Sequence, residues 1–454
     1  MKIIIIGAGE VGFHIANRLA HENKDVVVID HNEQAIRRVE ESIDVQVVDG
    51  KGSSPAVLEK AGIKAADILL AVTDSDETNL VACLFANIIS PATKKLARIR
   101  NGDYDKYHEN FRKFAPNIDT IINPEIEVVK IIDGLLSVPG AVDVSKLAGD
   151  RVKVIGVQLE KNSRMAGVRL IDFPRILGSQ RTLIAAVVRD EKVFIPRGNS
   201  KLLPGDIVYF VSQKEKLSDT LSLFDKYAQP LNNVLIVGGG RLAVRLAMLL
   251  EEKSIHTKII EKNKNRCVEL AEKFNKVVVL CGNGTDQRLL KEENVGDMDA
   301  VITLTNDEEI NILASLLSKR MGARKTITKI SNFSYLAMMP AIGIDQVVSP
   351  RLSAINTILQ HIRRGKVLSA ISIKGEQAEI LEAEALETSD IVDKPLNRIS
   401  FPKGAIVVSI IHDNDIIIPT GDSIIRPGDK IIIFALSQAI SKVEKILSVK
   451  LEYF

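Results

Sequence analysis

The chain repeats itself, and this internal duplication limits its fold more than any other feature. The run Gly7-Ala8-Gly9-Glu10-Val11-Gly12 recurs 231 residues later as Gly238-Gly239-Gly240-Arg241-Leu242-Ala243. The run Thr73-Asp74-Ser75-Asp76 recurs as Thr305-Asn306-Asp307-Glu308, and Pro204-Gly205-Asp206 recurs as Pro427-Gly428-Asp429. Repeats at a nearly constant spacing are typical of tandem units. The 454 residues are therefore predicted to be two copies of one arrangement.

Each copy is predicted to contain two domains of different kinds. The first part alternates apolar strands with helices, which favours a Rossmann-like, doubly wound parallel sheet in an α/β class. The second part has short strands separated by turn signals and is predicted to be a small α+β module. The predicted limits are 1–124 and 231–350 for the nucleotide-binding domains, 125–141 and 351–365 for helical linkers, and 142–225 and 366–454 for the C-terminal modules.

The first glycine motif predicts a dinucleotide site, because it follows a strand directly and opens a helix. Gly7 permits a tight turn, Gly9 lets the backbone approach a pyrophosphate, and Gly12 allows close packing of helix on strand. Asp30 ends the second strand, where a carboxylate accepts hydrogen bonds from both ribose hydroxyls and repels a 2′-phosphate. The expected ligands are NAD(H), or ATP and ADP, although a glycine turn without a ligand is the structural alternative. The predicted site consists of Gly7, Ala8, Gly9, Glu10, Val11 and Asp30.

The second motif has Ala243 in place of the third glycine, and Glu261 takes the acidic position. Its predicted site consists of Gly238, Gly239, Gly240, Arg241, Leu242 and Glu261. Because Arg241 stands where the first copy has Glu10, the two sites are expected to differ in phosphate preference. The alternative is a second copy that no longer binds a ligand.

Three further residues, Thr73, Asp74 and Arg98, follow the fourth and fifth strands, at the sheet edge where such folds bind ligands. Arg98 is expected either to reach a phosphate or adenine, or to pair with Asp74. Asp74 and Asp76 are expected to act either as ligand contacts or as caps of the next helix.

The sequence leaves open what the two apolar helices between the domains pack against. Ile126, Val129, Ile132 and Leu136 form one stripe, and the second helix spans 351–362. Each helix packs either on its own sheet or on a neighbouring subunit or the other half.

Composition narrows the class of protein. Lys+Arg and Asp+Glu number 60 and 58, and Trp is absent, which disfavours nucleic-acid binding. Cys83, Cys267 and Cys281 form no CxxC, which fits a reducing cytosol, and Cys281 is expected to be buried rather than reactive. No run of about 18 apolar residues predicts a membrane helix. No metal-binding, Walker or nucleophile motif is found, so the pattern favours a sensor over an enzyme.

With these motifs in place, the sequence resembles the RCK/KTN family of regulators of potassium conductance and transport. The resemblance rests on the run from Lys2 to Gly12, Asp30, Val48-Asp49-Gly50, the run from Thr73 to Asn79, and the duplicated C-terminal modules. It covers essentially the whole chain.

The resemblance implies a non-enzymatic regulator that binds NAD(H) and adenine nucleotides. It implies a homotetrameric ring, cytoplasmic and peripheral on the cytosolic face of the cell membrane through its partner, a membrane-embedded potassium transporter of the Trk type. Thr73, Asp74 and Arg98 would complete the first site. An NAD-dependent dehydrogenase and a metabolite sensor unconnected to transport are the alternatives.

Overall fold

The computed structural model describes residues 1–113, 117–138, 140–173, 175, 182–227, 230–336, 338–344, 346–362, 367–374, 377–413 and 415–447. The chain divides into two units, one comprising Met1–Glu127 with Pro350–Ile362 and the other Val128–Ser349 with Arg363–Phe454. Within the predicted linker 351–365 and the predicted module 366–454, positions 363–366, 375–376, 414 and 448–454 lie outside the described residues.

The strands of the described residues follow in chain order: β1 (Lys2–Ile6), β2 (Asp25–Asp30), β3 (Gln46–Asp49), β4 (Ile68–Ala71), β5 (Lys94–Arg98), β6 (Thr120–Ile122), β7 (Ala141–Leu147), β8 (Val152–Gln158), β9 (Leu183–Arg189), β10 (Lys192–Phe194), β11 (Ile207–Gln213), β12 (Asn233–Val237), β13 (His256–Glu261), β14 (Val278–Cys281), β15 (Ala300–Thr303), β16 (Thr326–Lys329), β17 (Val347–Val348), β18 (Val367–Ile373), β19 (Ala378–Glu384), β20 (Ala405–His412), β21 (Asp415–Ile417) and β22 (Lys430–Leu436).

The α-helices follow in the same order: α1 (Glu10–His21), α2 (Glu33–Ser42), α3 (Pro55–Lys60), α4 (Asp76–Ile89), α5 (His108–Lys113), α6 (Pro124–Ser137), α7 (Leu217–Leu223), α8 (Arg241–Glu252), α9 (Lys264–Lys273), α10 (Gln287–Glu292), α11 (Glu308–Arg320), α12 (Phe333–Leu336), α13 (Pro350–Ile362) and α14 (Ser437–Leu447).

The first unit contains the predicted doubly wound sheet. Its strand order is β3-β2-β1-β4-β5-β6, and every pairing is parallel. The run Ile3–Ile6 in β1 is at most 1% exposed, as expected of a central strand that is covered by helices on both faces. The order reverses beside β1, so the carboxyl ends of β1 and β4 form the crevice where this architecture binds ligands.

The second unit repeats this sheet as β14-β13-β12-β15-β16-β17, again with parallel pairings. The tandem Rossmann-like prediction is therefore confirmed. The unit also contains two antiparallel five-stranded sheets, ordered β10-β9-β11-β8-β7 and β18-β19-β22-β20-β21. These are the sheets of the two small α+β modules, and their side chains share one apolar cluster that includes Val154, Val188, Ile380 and Phe434.

In each small module, one strand is not predicted by the hydrophobic patterns of the sequence. The edge strand β7 begins at Ala141, which the predicted linker 125–141 includes, and β18 is its counterpart in the second module. The alternation that identifies a half-buried strand is weak in β7, because Asp143 and Lys146 interrupt its apolar positions.

The two linker helices are exchanged between the copies. From Val128 onward α6 belongs to the second unit, where Ile132 and Leu135 join the apolar cluster of Val234 and Leu246. Helix α13 of the second copy belongs instead to the first unit and packs on α1. Of the two readings, packing on the other half is the observed one.

Matching lysines hold the ends of the exchanged helices. Lys94, which opens β5, donates from Nζ to the carbonyl oxygen of His361 at 2.9 Å. Lys325, its equivalent before β16, donates to the carbonyl oxygen of Leu135 at 2.6 Å. A cation at a helix C-terminus interacts favourably with the unpaired carbonyl groups of the last turn. Each sheet therefore binds the helix that the other copy supplies.

Within the described ranges, no helix has both the length and the apolar character that crossing a bilayer would require.

Candidate functional site

The first glycine loop connects β1 to α1, and two of its glycines are required by the fold itself. Gly7 has φ +104°, a left-handed conformation that L side chains rarely adopt, and a Cβ there would lie 3.0 Å from the Thr73 backbone nitrogen. A Cβ at Gly12 would lie 1.8 Å from the Gly7 carbonyl oxygen. These glycines therefore allow the tight turn and the close packing of the helix on the strand, as the motif predicts.

Gly9 differs from both, because no close contact with the described residues requires glycine there. Its φ of −63° is open to any residue, and a Cβ there would meet no atom within 4 Å. The space that a side chain would fill lies at the N-terminus of α1, where unpaired N–H groups and the helix dipole favour an anion. A phosphate group that approaches the backbone closely would account for this glycine.

Asp30 lies at the end of β2 and is turned toward the loop. Its Oδ2 accepts the N–H of Ala8 at 2.6 Å, and its Oδ1 accepts the N–H groups of His31 at 2.7 Å and Asn32 at 2.9 Å. These bonds fix the carboxylate beside the phosphate-binding loop. An ionised carboxylate only accepts hydrogen bonds, so it suits a pair of ribose hydroxyls and opposes a 2′-phosphate.

Glu10 opens α1 but is directed toward α2. Its Oε1 accepts from Arg38 at 2.5 Å, and the Arg38 guanidinium lies 4.0 Å from the centre of the Phe13 ring. Burial by itself raises the pKa of Glu10, but the hydrogen bond and charge of Arg38 hold it below its usual value. The Val11 side chain is buried, so only its backbone lies at the helix terminus.

A buried asparagine holds the loop after β4 in place. Asn79 Oδ1 accepts from the Thr73 N–H at 3.0 Å and from Thr73 Oγ1 at 2.7 Å, while its Nδ2 donates to the carbonyl oxygens of Thr73 and Arg98. Asn311 makes the same bonds to Thr305 and Lys329 in the second copy. The sequence patterns predict no specific role for Asn79, although its recurrence 232 residues later as Asn311 is a signal that could identify it.

Arg98 and Asp74 form an ion pair, one of the two expected arrangements. Arg98 is buried and donates from one terminal nitrogen to Asp74 Oδ1 at 2.6 Å and to the Thr73 carbonyl oxygen at 2.8 Å. The Asp74 side chain is 90% exposed. Burial, followed by the neighbouring Arg100 charge, lowers the pKa of Arg98.

The capping prediction for Asp74 and Asp76 is wrong. Ser75 is the N-cap of α4, and its Oγ accepts from the Thr78 N–H. Asp76 is the first residue of α4, and its carboxylate accepts the N–H groups of Arg100 and Asn101 after β5. It therefore fixes the backbone that follows Arg98.

The second copy reproduces the loop. Gly238 has φ +102°, and a Cβ at Gly240 would meet no atom within 4 Å. Glu261 Oε2 accepts the Gly239 N–H at 2.7 Å. Ala243 is buried in α8, which fits a position where only packing is required, and the Leu242 side chain is buried beside it.

The two copies differ in the charges around the loop. Arg241 is exposed where the first copy has Glu10, and Glu269 stands where the first copy has Arg38. Lys329 replaces Arg98 and donates to the Thr305 carbonyl oxygen at 3.0 Å. The reversal of charge at Glu10 is the one that the sequence comparison identified, and the matching reversal at Arg38 could be found by the same alignment of the two halves.

The expectation that Cys281 is buried is wrong. It ends β14 and is exposed, whereas Cys83 and Cys267 are buried. The side chain at the last position of an edge strand is only partly covered by its neighbours, so a strand-end position did not ensure burial.

Among the described residues, no group of three or more His, Cys, Asp or Glu side chains is placed to hold a metal ion. Each copy instead combines an anion-binding helix terminus, an open glycine position and a carboxylate in one crevice. These are the features that a nucleotide with a free 2′-hydroxyl requires.

Comparison with known proteins agrees with this arrangement. The TrkA-N domain family matches residues 3–124 and 234–350, and the TrkA-C domain family matches 154–225 and 380–448. The chain is 39% identical over 454 residues to "Trk system potassium uptake protein TrkA homolog 2" of Methanosarcina mazei, covering 98% of this chain and 100% of that protein. It is 36% identical over 458 residues to "Trk system potassium uptake protein TrkA" of Azorhizobium caulinodans, covering 100% of both.

Solved structures share the fold at lower identity. The crystal structure of the GsuK RCK domain matches with a TM-score of 0.60 at 18% identity, over 98% of this chain and 94% of that one. The GsuK channel bound to NAD matches with a TM-score of 0.59 at 17% identity, over 98% and 78%. Because the curated relatives match over their full length and both domain families occur twice, the chain belongs to the TrkA family.

Proposed function

We propose that the chain is a nucleotide-sensing regulatory subunit that gates a membrane potassium uptake transporter of the Trk type. The observation that carries the proposal is the open position at Gly9 and Gly240, each beside a carboxylate fixed on the glycine loop. Family membership supports the transport role, since the full-length relatives are named as Trk system potassium uptake proteins.

NAD(H) is the proposed ligand of both sites, with ATP and ADP as alternatives. The acidic residues at both ribose positions disfavour a 2′-phosphate, so NADP(H) is expected to bind more weakly. The proposed contacts comprise the loop residues Gly7 to Val11 with Asp30, Thr73, Asp74 and Arg98 in the first site, and Gly238 to Leu242 with Glu261 in the second.

The gating proposal requires a nucleotide to bind one conformation of the regulator better than another. A ligand shifts such an equilibrium only by its differential affinity for the two states. The proposed assembly is a homotetrameric ring, cytoplasmic and peripheral on the cytosolic face of the cell membrane, where it contacts the transporter. The predicted domain limits, with nucleotide domains at 1–124 and 231–350, remain part of this proposal.

The proposed role is regulatory rather than catalytic. A dehydrogenase would need a general acid or base beside the nicotinamide, and the sequence offers no recognised catalytic motif. The relatives' names refer to potassium uptake and not to a reaction.

Binding and association test the proposal together. Calorimetry on the full chain should give NADH binding at two sites per chain, and the chain should co-purify with its transporter from detergent-solubilised membranes. Consumption of NADH by an added substrate, without association with the transporter, would overturn the regulatory role.

A further inference from the structure

Two cysteines lie next to the Glu261 backbone in the second unit. Cys281 is the register partner of Glu261 in the pairing of β14 with β13. Cys267, in α9, donates its thiol hydrogen to the Glu261 carbonyl oxygen at an Sγ–O distance of 3.2 Å. The Cys281 side chain is close enough to Cys267 to contribute to the rise in the pKa of the Cys267 thiol. The fold therefore brings together two sulfur atoms that are 14 residues apart in the sequence.

The two thiols differ in their access to solvent. Cys281 is exposed, whereas Cys267 is buried. Burial, together with the neighbouring Cys281, raises the pKa of Cys267 to about 11, so Cys267 remains a thiol at neutral pH. An oxidant in solution therefore meets Cys281 first, and Cys267 is the neighbouring thiol that can resolve the product.

We propose that Cys267 and Cys281 form a redox-modification site, at which a hydroperoxide converts the two thiols into a disulfide. In the first step Cys281 attacks the peroxide O–O bond, which gives a sulfenic acid and water from hydrogen peroxide. In the second step the Cys267 sulfur attacks the sulfenic sulfur, the S–S bond forms, and a second water leaves. The two thiols lose two electrons, and the peroxide gains them.

The disulfide is placed to alter the second glycine loop. It removes the S–H donor from the Glu261 carbonyl oxygen and ties α9 to the end of β14. The same helix holds the loop, because Arg266 donates from Nε to the Gly239 carbonyl oxygen at 3.0 Å. Glu261 holds the loop from the other side through the Gly239 N–H. This effect on a ligand rests on the proposed nucleotide function, whereas the disulfide itself does not.

The first copy lacks this chemistry. Ile36 and Asp49 occupy the equivalent positions, and Asp49 pairs in register with Asp30 as Cys281 does with Glu261. Oxidation is therefore expected to change the second site alone. The remaining cysteine, Cys83, is fully buried in α4, and burial raises its pKa to about 12, so it serves as an internal control that should stay reduced.

The test is oxidation of the full chain by hydrogen peroxide, followed by mass spectrometry of unreduced peptides. We expect a Cys267–Cys281 disulfide that dithiothreitol reverses. Cys267→Ser should leave a sulfenic acid on Cys281 that dimedone traps, Cys281→Ser should leave Cys267 reduced, and Cys83→Ser should still form the disulfide. Oxidation of Cys281 without a bond to Cys267, or a disulfide between chains only, would overturn the proposal.

A second readout separates the modification from its effect on the ligand. In a Gly9→Ala background, where only the second site should bind, NADH affinity is measured before and after oxidation. Loss of one hydrogen bond should change the NADH affinity of the second site by about two- to tenfold. Dithiothreitol should reverse this change, and Cys281→Ser should not show it. A disulfide that leaves NADH affinity unchanged would overturn the coupling. A disulfide in a chain that binds no nucleotide at all would instead overturn the proposed function.

Discussion

At the scale of single residues, the three glycines of the first loop have different roles. Gly7 is required by its backbone conformation and Gly12 by contact with the Gly7 carbonyl oxygen, but Gly9 faces open space. Apart from the general preference for glycine at an N-cap, a ligand that approaches the backbone accounts for a residue without a side chain at Gly9. The functional glycine can therefore be separated from the structural ones by experiment.

Gly9→Ala is predicted to weaken NADH binding at one site strongly, with little loss of stability. At an N-cap position the change costs about 1 kcal/mol or less, whereas loss of charge-assisted phosphate contacts weakens binding by about ten- to a hundredfold. Thermal unfolding and calorimetry measure the two effects. Gly12→Ala is the matched comparison and should lower the free energy of unfolding by about 1–3 kcal/mol through overpacking. Equal NADH affinity in wild type and Gly9→Ala would contradict the assignment.

The carboxylates of the two loops should set the preference for NADH over NADPH. In Asp30→Asn the amide oxygen can still accept the Ala8 N–H, but the charge that attracts ribose hydroxyls and repels a 2′-phosphate is lost. We expect NADH to bind about ten- to a hundredfold more weakly at one site per chain, with a smaller loss for NADPH.

Calorimetry with both nucleotides measures this preference. Glu261→Gln should give the same result at the other site, and Asp44→Asn, at an exposed position after α2, is the control. A variant that retains two NADH sites of unchanged affinity would rule out the role of these carboxylates.

At the scale of elements, a glycine in the first small module allows a contact across a strand. Gly156 in β8 lies in register between Asp143 of β7 and Tyr209 of β11. A Cβ at Gly156 would lie 3.0 Å from the Tyr209 ring, so glycine lets the tyrosine hydroxyl reach Asp143 Oδ2 at 3.1 Å. Burial raises the pKa of Asp143 to about 6, although the hydrogen bond from Tyr209 opposes the rise.

This carboxyl group should make stability depend on pH. In the unfolded chain Asp143 ionises near its ordinary pKa of 3.8, whereas in the folded chain it ionises at about 6. The folded state therefore loses stability relative to the unfolded state as the pH rises from about 4 to about 6. Asp143→Asn removes the cost of ionising this buried carboxyl group, so it should stabilise the chain by at most about 3 kcal/mol at pH 8. At pH 4 the folded chain keeps Asp143 protonated, and this stabilisation should be absent.

Thermal unfolding of wild type and Asp143→Asn across this pH range measures the difference. Tyr209→Phe removes the hydroxyl that favours the charged form, so it should destabilise the chain more at pH 8 than at pH 4. A pH-independent difference between wild type and Asp143→Asn would contradict the assignment.

The sequence predicts an element well when residues within that element determine its structure, and poorly when residues from other elements do. The parallel sheets and glycine loops were predictable because continuous apolar strands and a motif at fixed spacing carry them. The edge strand β7 was not, because Asp143 and Lys146 interrupt its apolar pattern. The exposure of Cys281 and the role of Asn79 depend on neighbours brought from other elements, which a local pattern does not contain.

At the scale of the whole molecule, each of the two units contains a linker helix that comes from the other copy. Each sheet binds a helix from the other copy, and Lys94 and Lys325 hold the C-terminal carbonyl groups of these helices. Partial burial lowers the pKa of Lys325 to about 8. A change at one loop therefore acts on a domain that includes part of the other copy.

The central claim is that nucleotide bound at the glycine loops controls potassium transport. Its most direct test is potassium flux into vesicles that contain the purified Trk-type transporter and the full chain, with NADH, NAD, ATP and ADP added in turn. The account predicts that flux changes with at least one nucleotide and that the response is lost in the Gly9→Ala, Gly240→Ala double variant. Flux that is the same with and without every nucleotide, or a full response in the double variant, would contradict it.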